Sequence, residues 1–544
     1  MKVAVQGCCH GELDKIFASV RYIQETQNIT IDLLIICGDF QAMRNTADLA
    51  SMACPDKYKH LGTFYQYYSG QKTVPVPTIF VGGNHEASNY LWELYHGGWV
   101  CPNIYFLGFA GCVRFGSVRI AGISGIYKEN HYNEGHYERF PYNDGHVRSI
   151  YHVRKFNVYR LAQINTPVDI FLSHDWPTGI AYHGNTRQLL QFKKHFKSEV
   201  QSNTLGSPPN EFLLRKLKPS FWFAAHLHVK FAALFDHDHV SAPAPVSATP
   251  SFSIESIAQV DNADEIKIDS EDDDIDPQCV KPQQELSLNS ISSDEPKLSS
   301  PVVSLIPPDI SSKLILEKNL TASANDTNPV PFNTNPDEIM ISDSEGGDDD
   351  KQNIINHTVN SDNLACPNTQ SVRASQSTKF LALDKCLPGR DFLQIVDIPT
   401  DPDTKIPLRF YHDEEWLAIV RATHQSFSDA RIQQPFPSDS DTQLQVQRER
   451  VWVRENILKP LQADPSTGYP IIESFSQTAS AHDPFSPNRS RRDETFSNIQ
   501  TVEFCKMLQI PNKINPHGTV VEPIFTSFAH LPDKHDKLAT ETSQ

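Results

Sequence analysis

Short apolar runs that alternate with helical stretches are the feature that most constrains the fold of residues 1–235. The runs are KVAVQG, IDLLIICGDF, VPTIFVGGN, NIYFLG, VRIAGISG, VDIFLSHDWP and FWFAAHLH, and the stretch ELDKIFASVRYIQE lies between the first two. Because the runs are almost wholly apolar, they predict buried strands rather than strands with one solvated face. The order of strand, helix and strand predicts an α/β domain over residues 1–235.

Charge divides the chain into three parts. Residues 1–235 hold 23 Lys and Arg against 17 Asp and Glu, whereas residues 236–376 hold 7 against 26 and residues 377–544 hold 18 against 23. The formal net charge of -18 is therefore a property of the middle part. A mildly basic first part suits an anionic ligand, although its excess of six positive charges is ordinary for a soluble domain.

The middle part, residues 236–377, is rich in Ser, Asp, Asn and Pro and contains the runs IDSEDDDIDP and ISDSEGGDDD. With so few apolar residues, burial of apolar surface cannot compensate the conformational entropy lost on folding. We therefore predict that this part is a disordered acidic insert. The flanking segments HVKFAALFDH and TKFLALDKCLPGRDFLQIVDI are both apolar at every second residue. They predict two strands of one sheet with the insert between them; the alternative is a linker between two independent domains.

A smaller ordered region is predicted at residues 378–456, and Pro, Ser and polar residues predict a flexible tail at 457–544. The ten cysteines have no framework spacing, which is typical of a reducing, intracellular compartment. No signal peptide pattern is present, and no apolar run approaches the ~18 residues that a membrane span needs. We expect a protein that is neither secreted nor embedded in a membrane.

Potential metal ligands follow five of the predicted strands. The side chains are Cys8, His10, Asp39, Asn84, His85, His174, His226 and His228. Loops beyond the carboxyl ends of strands are where α/β sheets bind ligands, so the five turns can converge. Imidazole and thiolate favour Zn²⁺, Fe²⁺ or Mn²⁺ over Mg²⁺, and a metal pair about 3.5–4 Å apart can activate a bridging hydroxide at a phosphoryl centre. A carboxylate is the natural bridge between two metals, which nominates Asp39.

Each of these signals is weak when it is taken alone. A Gly-Asp pair after a strand is more often a plain turn, and a single His at a strand end is usually a satisfied polar residue. The C-x-H spacing selects Cys8 over Cys9, whereas the alternative is that both cysteines are buried thiols that only pack in the core. Five such turns in one chain make coincidence a poor explanation.

The order C-x-H, GD, GNHE, SH and HxH resembles that of the calcineurin-like metallophosphoesterases. Within this superfamily, the chain most resembles the RNA lariat debranching enzymes. The resemblance is carried by the stretches GCCHGELDKIF, SHDWP, NTLGSPPNEFLLRKLKPSFWFAAHLHVKFAAL and FLALDKCLPGRDFLQI. The resemblance covers residues 1–235 and about 378–456. It implies a β-sandwich flanked by helices, and hydrolysis of the 2′–5′ phosphodiester at the branch point of excised introns by a metal-activated hydroxide.

The resemblance also implies roles for the site residues. One metal would be held by Cys8, His10, Asp39 and His228, and the other by Asp39, Asn84, His174 and His226. His85 would lie near the phosphate as the catalytic proton donor or as a stabiliser of charge. Most of the wider superfamily has Asp in place of Cys8 and Gly in place of Ala225, departures that the debranching enzymes share. These departures leave open whether the Cys8 site holds a metal, so the resemblance implies one or two metals per chain.

Residues 127–160 form a long aromatic and basic stretch, and the resemblance implies that this stretch is the lariat-recognition loop. Single-stranded RNA is recognised by stacking and phosphate contacts, which such residues supply. The predicted RNA contacts are Tyr127, Lys128, Tyr132, Arg148, Tyr151 and Arg154. A part of the loop's aromatic residues is expected to pack the loop onto the domain instead.

Other partners are less constrained by the sequence. The segments IKIDSEDDD and IMISDSEGGDDD place apolar residues before an acidic block, a pattern of SUMO-interacting strands, although solvated acidic runs are commoner. Splicing or intron-turnover factors and a nuclear location, with or without shuttling to the cytoplasm, follow from the resemblance alone. Two alternative functions remain: a phosphoesterase acting as DNA nuclease or protein phosphatase, and a non-catalytic RNA-binding scaffold with a vestigial site.

Overall fold

A computed structural model describes residues 1–238, 376–400, 405–461, 469–471, 473–485 and 494–521. These residues belong to one compact unit formed by 1–245 and 368–544. The predicted acidic insert and its two acidic segments lie outside the described residues, apart from the insert's first and last few positions. Within the described part, no helix is long and apolar enough to cross a bilayer.

Fourteen strands are described, and they form two sheets. The strands are β1 Lys2–Gln6, β2 Leu33–Ile36, β3 Thr78–Phe80, β4 Gly98–Cys101, β5 Ile104–Phe106, β6 Ala110–Phe115, β7 Val118–Ile123, β8 Ile170–Ser173, β9 Phe221–Ala224, β10 Phe231–Asp236, β11 Ser377–Ala382, β12 Leu393–Asp397, β13 Phe410–His412 and β14 Tyr469–Pro470. The first sheet has the order β12-β1-β2-β3-β5-β4, and the second has the order β10-β11-β9-β8-β7-β6-β13-β14.

Helices connect the strands and cover the sheets. They are α1 Leu13–Gln27, α2 Phe64–Tyr68, α3 Ser88–Glu93, α4 Glu129–Tyr132, α5 Asp144–Val147, α6 Lys155–Leu161, α7 Thr186–Phe192, α8 Lys197–Gln201, α9 Pro208–Leu217, α10 Glu414–Thr423, α11 Asp439–Val453 and α12 Ile499–Met507. Short 3₁₀ turns lie at Asp48–Ser51, Asp56–Tyr58, Ile180–His183, Lys194–Phe196 and His424–Ser426, and a π turn at Arg454–Leu458 extends α11.

The second sheet divides its side chains between two cores. In β8, Ile170 and Leu172 join the core shared with the first sheet, whereas Phe171 joins the core under the helices. This alternation follows from the two-residue period of a strand. It explains the continuous apolar runs in the sequence, because both faces of the sheet are covered. The predicted α/β class, a β-sandwich flanked by helices, is confirmed.

The strands on either side of the insert pair with each other. β10 and β11 run antiparallel from the pair Phe231 and Ala382 to the pair Asp236 and Ser377, and β11 also lies parallel to β9. The prediction of two strands of one sheet is therefore confirmed over the alternative of a linker between independent domains. Because β12 joins β1 and β13 joins β6, residues 377–412 contribute to both sheets.

The prediction of a flexible tail at 457–544 is wrong for the described residues that pack on the first half of the chain. Gln500 of α12 makes hydrogen bonds to both the backbone N–H and the carbonyl of Trp99, at 2.8 and 2.9 Å. Thr478 donates to the buried carboxylate of Glu93, and β14 pairs with β13. Polar residues predicted a solvated tail, but here they satisfy buried backbone and charged groups of the first half of the chain.

Candidate metal centre

All seven predicted metal ligands lie together at the carboxyl ends of the strands. The ligand atoms of Cys8, His10, Asp39 and His228 lie within 4.8 Å of one another. On the other side of Asp39, His174 Nε2 lies 3.4 Å from Asp39 Oδ1 and 3.1 Å from Asn84 Oδ1. The ring of His226 lies 4.9 Å from that of His174. Asp39 is thus the carboxylate between two groups of potential ligands.

Four of the ligands have a left-handed backbone. The φ angles are 47° at His10, 46° at Asp39, 64° at His226 and 49° at His228. Such a conformation is uncommon for residues other than Gly and costs of order 1–3 kcal/mol, so it persists only where the surroundings enforce it. The strain turns these side chains out of the strand direction and towards one point.

Three histidines, His10, His228 and His174, have the geometry of ligands to a cation. His10 Nε2 faces His228 Nε2 at 3.3 Å, and it lies 3.7 Å from Asp39 Oδ2. Two imidazole nitrogens at this distance satisfy each other only when one is protonated, whereas a cation between them uses both lone pairs. The Nδ1 atom of His174 lies 2.8 Å from the carbonyl oxygen of Cys37, so a hydrogen bond there leaves Nε2 directed at Asp39 and Asn84. An imidazole held by a carbonyl in this way is typical of metal sites.

Electrostatics keep most of these ligands in the form that binds metal. Burial lowers the pKa of His10 to about 4, of His226 to about 3 and of His228 to about 2. Burial alone would raise the pKa of Asp39, but His174, His85 and His10 hold that pKa well below its usual range. The pKa of His174 is raised despite burial because Asp39 favours a positive charge at its ring. Neutral imidazoles around a carboxylate suit a divalent transition metal.

Two glycines make room for the centre. A Cβ atom at Gly38 would lie 2.2 Å from His174 Nδ1, and one at Gly83 would lie 2.2 Å from Asp39 Oδ1. Any larger residue at these positions would displace a ligand. The donor set, the convergent nitrogens and this close approach together fit a metal centre of one or two ions.

Cys8 and Cys9 are both buried, but they have different surroundings. The Sγ atom of Cys8 accepts a hydrogen bond from the backbone N–H of His226 at 3.3 Å, and Cys8 belongs to the ligand cluster. Burial raises the pKa of each thiol well above its usual range. Both cysteines pack in the core between the two sheets, but Cys9 is not in the ligand cluster and interacts with the backbone of Gly11 and Glu12. The geometry agrees with the choice of Cys8 that the C-x-H spacing predicts.

His85 lies beside the ligands and is half-buried. Its ring centroid is 5.9 Å from that of His10, and its backbone N–H donates to Asp39 Oδ1 at 2.8 Å. The Cys8, Asp39 and His174 side chains form the buried floor of the centre, whereas His85 lies with Asn84 and the remaining histidines on its more open side.

Two functional residues were not singled out from the sequence. The Glu86 carboxylate accepts hydrogen bonds at 2.8 Å from the backbone N–H groups of Phe40, Gln41 and Gly83, which clamps two ligand turns together. Its place directly after GNH was the available signal. Lys385 forms an isolated bridge with Cys8, and its charge acts with burial to lower the pKa of His10 and His228. No local pattern indicates this contact, because it joins residues far apart in the chain.

The predicted recognition loop is attached directly to the ligand turns. The N–H of Gly125 donates to the carbonyl of Gly82 at 2.8 Å, and the N–H of Tyr127 contacts Asp175 Oδ2 at 3.3 Å. Tyr127 and Tyr132 are half-buried with ring centroids 5.6 Å apart. Lys128 and Arg148 are exposed, and Tyr151 is half-buried. The loop therefore presents aromatic rings and cations from a base next to the centre.

The prediction of Arg154 as an RNA contact is wrong. Its guanidinium is wholly buried and ion-paired with the equally buried Glu138, and it donates to the carbonyls of His131 and Ser149. Position in a basic stretch suggested a contact with phosphate, but the charge is used to hold the loop together.

Comparison with known proteins assigns both halves of the chain. Residues 1–230 match the calcineurin-like phosphoesterase model, and residues 375–513 match that of the lariat debranching enzyme, C-terminal domain. Lariat debranching enzymes from Gallus gallus and Arabidopsis thaliana are 37% and 36% identical to this chain. These alignments cover 93% and 94% of this chain, and 69% and 87% of the relatives. The enzyme from Schizosaccharomyces pombe is 38% identical over 93% of this chain and 95% of its own length. The chain belongs to the lariat debranching enzyme family of calcineurin-like phosphoesterases.

Proposed function

We propose that this chain hydrolyses the 2′–5′ phosphodiester at the branch point of lariat RNA. Water adds across the bond between phosphorus and the 2′ oxygen, which leaves a linear RNA with a 5′ phosphate and a free 2′ hydroxyl at the branch nucleotide. Family membership supports the substrate. The observation that carries the chemistry is the convergence of six other candidate ligand side chains around Asp39.

The chain's own residues divide the work of holding metal. Cys8, His10, Asp39 and His228 would hold one ion, and Asp39, Asn84, His174 and His226 would hold the other. When bound, two such ions supply a water activated at neutral pH and neutralisation of charge on the phosphate. The buried floor of Cys8, Asp39 and His174 fixes the centre, and Glu86 holds the two turns that carry Asp39 and Asn84 in register.

His85 is the proposed proton donor to the departing 2′ oxygen. It is half-buried on the open side of the centre and belongs to neither group of ligands. The hydrogen bond from its backbone N–H to Asp39 fixes the turn that carries it. A general acid must reach the leaving group from a fixed position, and this turn supplies that position.

The loop at residues 127–160 is the proposed binding surface for the branch. Tyr127, Tyr132 and Tyr151 offer rings on which unpaired bases stack, and Lys128 and Arg148 offer exposed charges for phosphates. The hydrogen bonds of Gly125 to Gly82 and of Tyr127 to Asp175 hold the start of the loop beside the ligand turns, which supports a place for the substrate there.

The metal is proposed to be Zn²⁺ or Fe²⁺, with Mn²⁺ as an alternative, because a thiol and several imidazoles select against Mg²⁺. A nuclear location and contacts with splicing or intron-turnover factors are proposals that rest on where lariats arise. SUMO-type contact through IKIDSEDDD or IMISDSEGGDDD is a further proposal, made from sequence pattern alone.

The deciding experiment compares two RNAs of identical base sequence, one with a 2′–5′ branch and one linear. Purified chain loaded with Zn²⁺, Fe²⁺ or Mn²⁺ should release the branch and leave 3′–5′ bonds intact, and removal of the metal by a chelator should stop the reaction. Equal cleavage of both RNAs would contradict the specificity for the branch. No cleavage of either by chain that holds metal would contradict the enzymatic assignment.

A further inference from the structure

Four basic side chains line a small cavity to which none of the proposed metal ligands contributes. Arg160 of α6, His96, His424 and Lys513 surround it, and Phe156 and Phe427 close its sides. Arg160 and His424 are 2% and 6% exposed, so the cavity is lined by buried polar groups. Among the residues that the structure describes, no carboxylate lines the cavity.

Three polar atoms at the cavity are buried without a hydrogen-bond partner. They are Arg160 Nε, His96 Nδ1 and His424 Nε2, and none has a hydrogen-bond partner within the described part of the chain. Buried polar groups in folded proteins are nearly always hydrogen-bonded, so three exceptions around one cavity require an explanation. A single guest in the cavity would satisfy them together.

The two cations at the cavity, Arg160 and Lys513, have different surroundings. Arg160 forms no ion pair with a carboxylate among the described residues; its guanidinium lies 4.8 Å from the centre of the Trp416 ring and interacts with the hydroxyl of Tyr95. The Lys513 ammonium donates to the carbonyls of His424 and Phe427 at 3.3 and 3.2 Å. Asp429 is the acid whose charge acts on Lys513. A buried guanidinium beside an ammonium is costly unless an anion accompanies it.

The pKa values follow the same pattern. Burial lowers the pKa of Arg160, and burial with the charges of Lys513 and Arg160 lowers the pKa of His424 to about 4. Burial with Arg160 and His424 holds the pKa of His96 well below its usual range. Burial disfavours the charged form of each of these groups, and for His96 and His424 the neighbouring cations do so as well. An anion in the cavity would relieve this cost.

We propose that this cavity binds one small inorganic anion of the size of chloride. The cavity volume of about 10 Å³ is close to the least that holds one water-sized guest, so a polyatomic anion such as sulfate is too large for it. The guest would join α6, the 3₁₀ turn after α10 and the segment around Lys513. These three segments come from distant parts of the chain, so the anion stabilises the contact between the base of the 127–160 loop and the C-terminal region.

The first test locates the ion by diffraction. Crystals of the full chain soaked in sodium bromide should give an anomalous peak, measured at the bromine absorption edge, between Arg160, His424 and Lys513. An ordered water without an anomalous peak, or an empty cavity, would overturn the proposal.

The second test measures binding in solution. The unfolding temperature of the metal-loaded chain is followed while sodium chloride replaces sodium gluconate at constant ionic strength, since gluconate is too large for the cavity. Chloride should raise the unfolding temperature with a saturating dependence. Identical unfolding temperatures in the two salts would overturn the proposal.

Lys513→Met and Lys506→Met form a matched pair for this titration. Lys513→Met removes a charge from the cavity and should raise the apparent Kd for chloride about tenfold or more, the size expected for one hydrogen bond to a charged group. Lys506→Met removes an exposed lysine on α12 and should leave the Kd unchanged. Equal Kd values for the two variants would show that chloride acts elsewhere, which also overturns the proposal.

Discussion

The backbone N–H of His85 donates a hydrogen bond to Oδ1 of Asp39 at 2.8 Å. This single contact joins the proposed proton donor to the proposed bridging ligand. The same carboxylate oxygen lies 3.4 Å from His174 Nε2, so the acid, the bridge and one ligand form one connected unit. Because the hydrogen bond uses the backbone of His85, its imidazole remains available to the substrate.

Replacement of His85 by Ala separates catalysis from metal binding. We expect His85→Ala to lower the turnover of branched RNA by about 10²- to 10⁴-fold, the contribution usual for general acid catalysis. The metal content should stay unchanged, because the backbone hydrogen bond to Asp39 persists. His60→Ala, at an exposed histidine, is the control and should retain full activity. Loss of metal in His85→Ala would show that His85 is a ligand and not the acid.

The free energy of unfolding of the metal-free chain should decrease as the pH is lowered below about 6.5. The folded pKa values of His10, His226 and His228 are about 4, 3 and 2, below the ordinary value of 6.5. As the pH falls through 6.5, these histidines therefore bind protons in the unfolded chain but not in the folded chain. Each such histidine adds a slope of about 1.4 kcal/mol per pH unit down to its folded pKa.

His174 has the opposite sign, because its raised pKa gives a contribution that is complete below 6.5 and is lost only at higher pH. It stays constant over the acidic range. Urea unfolding of the chelator-treated chain at pH 7 and pH 5 measures the effect. His228→Asn should reduce the difference between the two pH values and His60→Asn should not; a chain more stable at pH 5 would refute the account.

The two adjacent cysteines should respond differently to substitution. Cys8→Asp replaces a soft ligand by a hard one, so we expect metal use to broaden towards Mn²⁺ and sensitivity to thiol oxidants to decrease. Cys9→Ser should change neither property, because Cys9 packs in the core outside the ligand cluster. Activity is measured across a metal series before and after oxidant treatment. If both variants behave alike, Cys8 is not a ligand.

Two arginines of the recognition loop should have separable effects. Arg148 is exposed, so Arg148→Ala should raise KM for branched RNA about 3- to 10-fold and leave the unfolding temperature unchanged. Arg154 is buried against Glu138, so Arg154→Met should lower the free energy of unfolding by about 3–5 kcal/mol, because it strands a buried charge. Steady-state kinetics and thermal unfolding of both variants check this; an unchanged KM for Arg148→Ala would remove it from the binding surface.

The sequence predicts which side chains the fold brings together, because each of them follows a strand. The apolar runs show where the strands before Asp39 and His174 end. Because parallel strands end at a common edge of the sheet, the two side chains lie close together. The left-handed backbone at His226 and His228 is not readable, because only the surrounding packing enforces it. The contact of Lys385 with Cys8 likewise depends on a chain segment that returns to the centre.

Burial of polar groups is the main property that the sequence did not reveal. Arg154 lies in a basic, aromatic stretch and is nevertheless a packing residue, because Glu138 lies beside it in the folded loop. Gln500 and Thr478 lie in polar segments that predict a flexible tail, yet they bind buried groups near Trp99 and Glu93. The composition of a segment shows how polar it is, but it does not show which hydrogen-bond partners its polar atoms have in the folded chain.

The most direct test of the central claim is the metal content of the chain and of its Asp39→Asn variant, measured by mass spectrometry on purified protein. Asn is of nearly the same shape, and its side-chain oxygen retains the acceptor for the His85 N–H, but it lacks the charge that a bridge between two metals requires. The account predicts one to two transition-metal ions per wild-type chain, and a decrease of about tenfold or more in the variant. A wild-type chain without bound metal, or a variant with undiminished metal, would contradict it.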